Sequence, residues 1–172
     1  MSSSIPPTLK DKTALVTGAG SDIGRATAIR FAEAGARVAL LGRTLGELEE
    51  TMARIGGGAG GHLTLVADIG EESQMEAAFT KLKQHWEHLD ILVANAGING
   101  VWAPLEALEV EEWDTTMRVN LRGTFLTVKE ALPLMKQRGA SVVVVSSING
   151  TRVFSNSGAT AYACSKAAQV AF

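Results

Sequence analysis

The chain has 172 residues, 46% of them hydrophobic and 20% charged, and a formal net charge of -2, the make-up of one globular domain and not of a disordered, collagen-like or disulfide-stapled chain. Acids and bases are interspersed, so no basic stripe exists for a phosphate backbone or an anionic lipid surface, and neither nucleic acid nor membrane is expected as a partner. No apolar run approaches the roughly 20 residues of a spanning helix, and Met1 to Pro7 lacks the charged start and apolar stretch of a secretory signal, which leads to a cytoplasmic expectation.

Residues 1–10, rich in Ser and Pro, read as a flexible leader, and residues 11–172 as one domain. Thr13 to Thr17 is a short apolar run ending at glycines, hence a strand. Ile23 to Ala34 places apolar residues at helical spacing and stops at Gly35, hence a helix. The unit recurs as strand Arg37 to Leu41 with helix Leu45 to Ile55, strand His62 to Ala67 with helix Glu72 to Trp86, and strand Asp90 to Ala94 with helix Glu111 to Met135. A fifth strand, Ser141 to Ser146, leads through a Ser/Asn/Gly-rich loop to a last helix beginning near Thr160. Such alternation predicts an α/β fold, a Rossmann-like doubly wound sheet of parallel strands with right-handed helical crossovers. The continuous apolar runs Leu40-Leu41, Ile91-Leu92-Val93 and Val142 to Val145 fit strands buried on both faces. Gly56 to Gly61 follows a helix and precedes a strand, the wrong order for a phosphate turn, and is expected to be a flexible connector.

Between the first strand and its helix stands Thr17-Gly18-Ala19-Gly20-Ser21-Asp22-Ile23-Gly24. A dinucleotide pyrophosphate placed there meets free backbone N–H groups and the positive end of a helix dipole, and glycine permits the tight turn and the close approach. Farther along, Asn95-Ala96-Gly97 ends the fourth strand, Asn120 lies mid-helix, and Ser147 follows the fifth strand. Tyr162-Ala163-Cys164-Ser165-Lys166 then sets a phenol and an ammonium four residues apart on one helix face.

From about Lys10 to the last residue these motifs resemble the short-chain dehydrogenase/reductase family, with its Thr-Gly-x-x-x-Gly-x-Gly turn, its Asn-Ala-Gly and its Asn, Ser, Tyr, Lys tetrad. The resemblance implies an enzyme that moves a hydride between NADP(H), or alternatively NAD, and a carbonyl or secondary alcohol. It assigns cofactor contacts to Gly18, Gly20, Ser21, Asp22, Ile23, Gly24, Arg43, Asp68, Asn95 and Gly97, with Tyr162 and Lys166, and it implies no metal. One position departs from the pattern. Asp22 stands where the family has glycine, so its backbone must take a left-handed conformation or one that a side chain tolerates. Otherwise it points away and caps the following helix. A carboxylate close to a pyrophosphate repels it.

Cofactor choice is written at the end of the second strand, where an acid would accept hydrogen bonds from the adenosine ribose of NAD. Here Gly42-Arg43-Thr44 offers no acid until Glu47, inside the next helix, whereas the planar fork of Arg43 suits a 2′-phosphate. A solvated loop arginine is the competing reading. Asp68 matches the family residue that meets the adenine amino group, and would serve equally as a helix cap; Asn95 to Gly97 ties the central strands together.

The tetrad implies the chemistry. Reduction of a carbonyl leaves an alkoxide that must be protonated, so an acid stands beside the oxygen, and Tyr162 takes that part. Bringing a phenol from about 10 to near 7 requires about 4 kcal/mol, and an ammonium about 4 Å away at an effective dielectric near 20 supplies about that much. Lys166 does this tuning and, in the family, also bonds the nicotinamide ribose. Ser147 donates a hydrogen bond to the same oxygen, with Ser146 as the competing serine, and Asn120 holds a water that extends a proton path from Lys166 or is a helix-interior amide bonded to a carbonyl. The loop Thr151 to Ala161 is longer than the family's and is expected to bulge. The single cysteine, Cys164, reads as a small helix residue, and Trp102 as a packing residue more than a pocket wall.

The substrate class so implied is a small or medium organic molecule such as a 3-oxoacyl thioester, sugar, polyol or ketone, and the family forms dimers or tetramers through its long helices. The alternatives are a nucleotide-binding protein without turnover, and a Rossmann-like methyltransferase, which leaves Tyr162, Lys166 and Arg43 unexplained. The chain stops about a dozen residues into its last helix with no stop signal, where the family continues through further strands, and Val142 to Val145 would be an exposed edge; a fragment lacking its C-terminal strands is expected.

Overall fold

The computed structural model describes residues 8–152 and 158–172. Its strands are β1 (Thr13–Thr17), β2 (Arg37–Gly42), β3 (Leu63–Val66), β4 (Ile91–Ala94) and β5 (Ser141–Val144). They form one parallel sheet in the order β3-β2-β1-β4-β5, joined by α1 (Asp22–Glu33), α2 (Leu45–Arg54), α3 (Glu72–His85) and the pair α4 (Val110–Met117) and α5 (Gly123–Met135), with α6 (Thr160–Ala171) after β5. This is the predicted doubly wound fold. The strand order turns outward in both directions from β1 and β4, and the crevice beyond their carboxyl ends is where such sheets bind ligands.

Successive side chains on a strand point to opposite faces, and the sheet has two cores accordingly. Leu15, Leu41, Leu65 and Leu92 pack with Phe79 and Leu126 on one face. Val16, Val38, Leu40 and Val93 pack with Ala28 and Leu48 on the other. Each such side chain fully removed from water contributes about 1.5–3 kcal/mol.

Four readings change. The helix expected over 111–135 is interrupted by a π turn, Arg118–Arg122, that begins where α4 ends and leads into α5; turns of this kind insert a residue and are frequent at functional sites. Strand β5 is not buried on both faces but forms the exposed edge also expected of Val142 to Val145, with Val142 45% and Val143 50% exposed. Trp102 is 50% exposed and therefore not a packing residue. At the front of the domain, the end of the predicted leader is tied down, since the Leu9 N–H donates to the Ala34 carbonyl at 2.9 Å and its side chain packs on the second core. The Gly56 to Gly61 segment is a connector, containing a short 3-10 turn, Gly57–Gly60. Most of the leader and the centre of the predicted bulge, residues 1–7 and 153–157, lie outside the described residues. Among the described residues no helix is long and apolar enough to cross a membrane.

Candidate active site

The glycine turn closes on itself. Gly18 has φ +66°, and a Cβ on Gly24 would run into the Gly18 carbonyl, so α1 can start this close to β1 only with glycine at both positions. Asp22 opens α1 with φ +44°, the left-handed one of the two expected conformations, which Asp tolerates better than most side chains, while the N-cap position belongs to Ser21. The alternative, Asp22 as the cap, is set aside. The turn is braced from behind by α2. Thr51 Oγ1 donates to the Ala19 carbonyl at 2.9 Å, and Arg25 donates through Nε to Thr51 Oγ1 at 3.0 Å and through its second nitrogen to the Gly20 carbonyl.

In front of the turn is a cleft of about 510 Å³. Gly18, Gly20, Ser21, Asp22 and Ile23 line one side, Arg43 and Asp68 the ends of β2 and β3, and Asn95 and Gly97 the end of β4. Gly24 lies behind the turn, as a spacer. Arg43 is exposed and forms no salt bridge among the described residues. Glu47 lines the same cleft, and its Oε2 would stand 3.0 Å from a Cβ on Gly20. Its place inside a helix hid this in the sequence; the signal was its position in the first turn of α2, which opens at the carboxyl edge of the sheet.

Asp68 accepts the Gly70 N–H at 2.8 Å in an Asx turn and faces Arg118 at 3.5 Å; the N-cap of α3 is Glu71, so Asp68 is not the helix cap, and it stays in the lining of the cleft. Asn95 donates through Nδ2 to the Thr17 carbonyl at 3.0 Å and through its backbone N–H to Thr17 Oγ1 at 2.9 Å, tying β4 to β1 as expected.

At the β4–β5 end, a 3-10 turn, Ile148–Gly150, carries Ser147 on its leading edge. A Cβ on Gly150 would come within 2.6 Å of the Lys166 carbonyl oxygen, so the turn docks directly on α6. Ser146 and Ser147 are told apart by what they bond. Ser146 Oγ donates to the Lys166 carbonyl at 2.8 Å, whereas Ser147 Oγ accepts the Asn149 N–H at 3.2 Å and donates to no acceptor among the described residues.

Lys166 is 4% exposed, and burial holds its ammonium below the ordinary lysine value. Its Nζ donates to the Val145 carbonyl at 2.9 Å and lies 5.7 Å from the centre of the Tyr162 ring. A Cβ on Gly97 would stand 3.5 Å from that Nζ and 3.1 Å from Asn120 Oδ1, so Gly97, which lines the cleft, packs against both groups, while Ser147, Tyr162 and Lys166 are not themselves in that lining.

Asn120 is fully buried: Oδ1 accepts the Ile98 N–H at 2.8 Å, and Nδ2 donates to the Ile98 carbonyl and to Ser165 Oγ, both at 2.9 Å. Its carbonyl accepts from Thr124 Oγ1 at 2.7 Å and from Gln169 Nε2 at 2.8 Å. The Nδ2 donation to the Ile98 carbonyl fits the helix-interior amide reading, while Oδ1 accepts a single hydrogen bond among the described residues and keeps a second lone pair for the predicted water. Ser165 and Gln169 were missed, although they share a helix face with Tyr162 and Lys166 at the i, i+3, i+4, i+7 spacing.

An open α/β sheet with a glycine turn and a cleft at its switch point defines a dinucleotide-binding class of protein. Comparison narrows it: the family model described as short chain dehydrogenase matches residues 12–172. The chain belongs to that family, whose members bind NAD(P). A 3-ketoacyl-ACP reductase from Sinorhizobium meliloti 1021 is similar in structure, with 57% identity and a TM-score of 0.88, over 92% of this chain and 63% of that one. Levodione reductase of Leifsonia aquatica is 36% identical over 171 residues, 96% of this chain and 63% of the relative. A short chain dehydrogenase of Escherichia coli CFT073, solved in complex with NADPH, is 30% identical with a TM-score of 0.86, over 94% of this chain and 68% of that one. The chain thus spans a little under two thirds of the curated relatives' length, 63% and 56% for the first two.

Proposed function

We propose that the protein carrying this chain is an NADP(H)-dependent oxidoreductase that reduces a carbonyl, or oxidises the matching secondary alcohol, of a small or medium organic substrate. The observation that carries the proposal is the position of Lys166: its ammonium lies behind Gly97, a wall of the glycine-turn cleft, and beside the Tyr162 ring on the same helix. The residues present suit the dinucleotide. The turn offers backbone N–H groups at a helix N-terminus for a pyrophosphate, and Arg43, in no salt bridge among the described residues, stands at the end of β2 for a 2′-phosphate.

When bound, the nicotinamide supplies or accepts the hydride. Tyr162 passes its phenolic proton to the carbonyl oxygen as charge develops there. Ser147, whose hydroxyl proton has no acceptor among the described residues, donates a hydrogen bond to the same oxygen. Lys166 holds positive charge beside the phenol and stabilises its ionised form. Among candidate substrates a 3-oxoacyl thioester comes first, supported by the 57% identity to a protein named for that reaction; ketones, sugars and polyols follow. We further infer a homo-oligomer, for which the exposed Phe125 and Leu132 on α5 offer apolar surface.

The test is NADPH oxidation with a 3-oxoacyl thioester and a panel of ketones, with the Tyr162→Phe variant alongside. Turnover is expected to fall about a hundredfold in the variant with dinucleotide affinity retained. Binding without turnover in the unmodified protein would establish the non-catalytic alternative.

A further inference from the structure

Gln169 lies on α6 one helical turn beyond Lys166 and is 4% exposed. Its Nε2 donates to the Asn120 carbonyl at 2.8 Å and to Thr124 Oγ1 at 2.7 Å. Thr124 Oγ1 donates to the same carbonyl at 2.7 Å, so two acceptors face one end of the Gln169 amide and fix that end as the nitrogen. Its oxygen is buried with no partner among the described residues. An orphaned acceptor is destabilising, and a leucine would fill the space without it. What distinguishes Gln169 from an apolar filler is therefore the grip of Nε2.

That grip falls on the π turn. The Asn120 carbonyl belongs to that turn, and it accepts from Gln169 on α6 as well as from Thr124 on α5. Ser165 holds the Asn120 side chain from the same face of α6. The two contacts, one turn apart, fix how α6 is rotated against Arg118–Arg122, and the rotation decides where Tyr162 and Lys166 stand relative to Gly97.

We propose that Gln169 is a positioning residue for hydride transfer, setting the rotation of α6 through the Asn120 carbonyl. The proposal rests on the roles given above to Tyr162 and Lys166. Its test is Gln169→Leu in the full protein, which removes both the donors and the orphaned oxygen. The melting temperature should stay or rise, the NADPH dissociation constant should change less than about twofold, and kcat should fall about tenfold with KM little changed and its pH profile displaced. Unaltered kcat and pH profile would overturn the proposal. NMR supplies a reading independent of turnover: slowly exchanging side-chain amide protons on Gln169, with Tyr162 ring resonances that shift in the leucine variant or, should that variant not fold, in Gln169→Met, support it. A freely exchanging amide or unmoved ring resonances refute it, even where the protein proves inactive and only the proposed function has failed.

Discussion

Lys166 holds its ammonium 5.7 Å from the centre of the Tyr162 ring by donating to the Val145 carbonyl at 2.9 Å, not by bonding the phenolic oxygen. The charge is thus anchored by the backbone just beyond β5, and burial makes it costly to keep. Lys166→Met keeps the stem and removes the charge. Turnover should drop by about a hundredfold or more, whereas the melting temperature should not fall, because a desolvated charge has been removed. A clear loss of thermal stability with normal turnover would assign Lys166 a structural role only.

Arg43 and Glu47 bring opposite charges to the same end of the cleft. With Arg43 meeting the 2′-phosphate, NADPH should bind at least about tenfold more tightly than NADH, a gap of about 1.4 kcal/mol. Arg43→Leu should close most of that gap. Glu47→Gln should widen it, since the carboxylate repels the added phosphate. Fluorescence titration of both dinucleotides against the three proteins decides this, and equal constants in the unmodified protein would dismiss the role of Arg43.

The sheet was legible because both of its signals are local. Apolar runs such as Val16 with Val38 to Leu41 mark buried strands, and the glycines of the first turn mark the tight entry to α1. The tetrad was legible as spacing, but its division of labour was not. Ser146 and Ser147 differ only in which backbone groups their hydroxyls meet, and the bonding of Asn120 depends on Ile98, Thr124, Ser165 and Gln169, which are brought together from three separate segments. The π turn was invisible for the same reason: helical periodicity in the sequence survives the one inserted residue, while groups that bond Asn120 in that turn, the backbone of Ile98 among them, lie elsewhere in the chain.

Asp22 carries φ +44° in the wall of the cleft. Left-handed backbone disfavours a Cβ by about 1–2 kcal/mol, a penalty that Asp meets better than most residues. Asp22→Gly should therefore exceed Asp22→Ala in stability by about 1 kcal/mol in urea unfolding. Both variants should bind NADPH more tightly than the unmodified protein, since each removes a carboxylate from the pyrophosphate side. Weaker binding in both would mean that the carboxylate contacts the ligand favourably.

The backbone N–H of Val38, at the start of β2, donates to His62 Nδ1 at 3.0 Å. That nitrogen must be unprotonated to accept, and burial lowers the His62 pKa from its ordinary 6.5. The unfolded chain therefore takes up its proton first as the pH falls, and between 6.5 and the lowered folded value it binds more protons than the native protein does. Stability from this contact is complete above the unfolded value and is lost as the pH falls through 6.5 toward the folded one. His62→Asn keeps an acceptor that does not titrate. Urea midpoints measured from about pH 8 down to about pH 5.5, the range in which an ordinary histidine titrates, should decline more steeply in the unmodified protein than in this variant. Parallel declines would show that the remaining histidines and carboxylates, not the His62 ring, carry the acid sensitivity of the sheet.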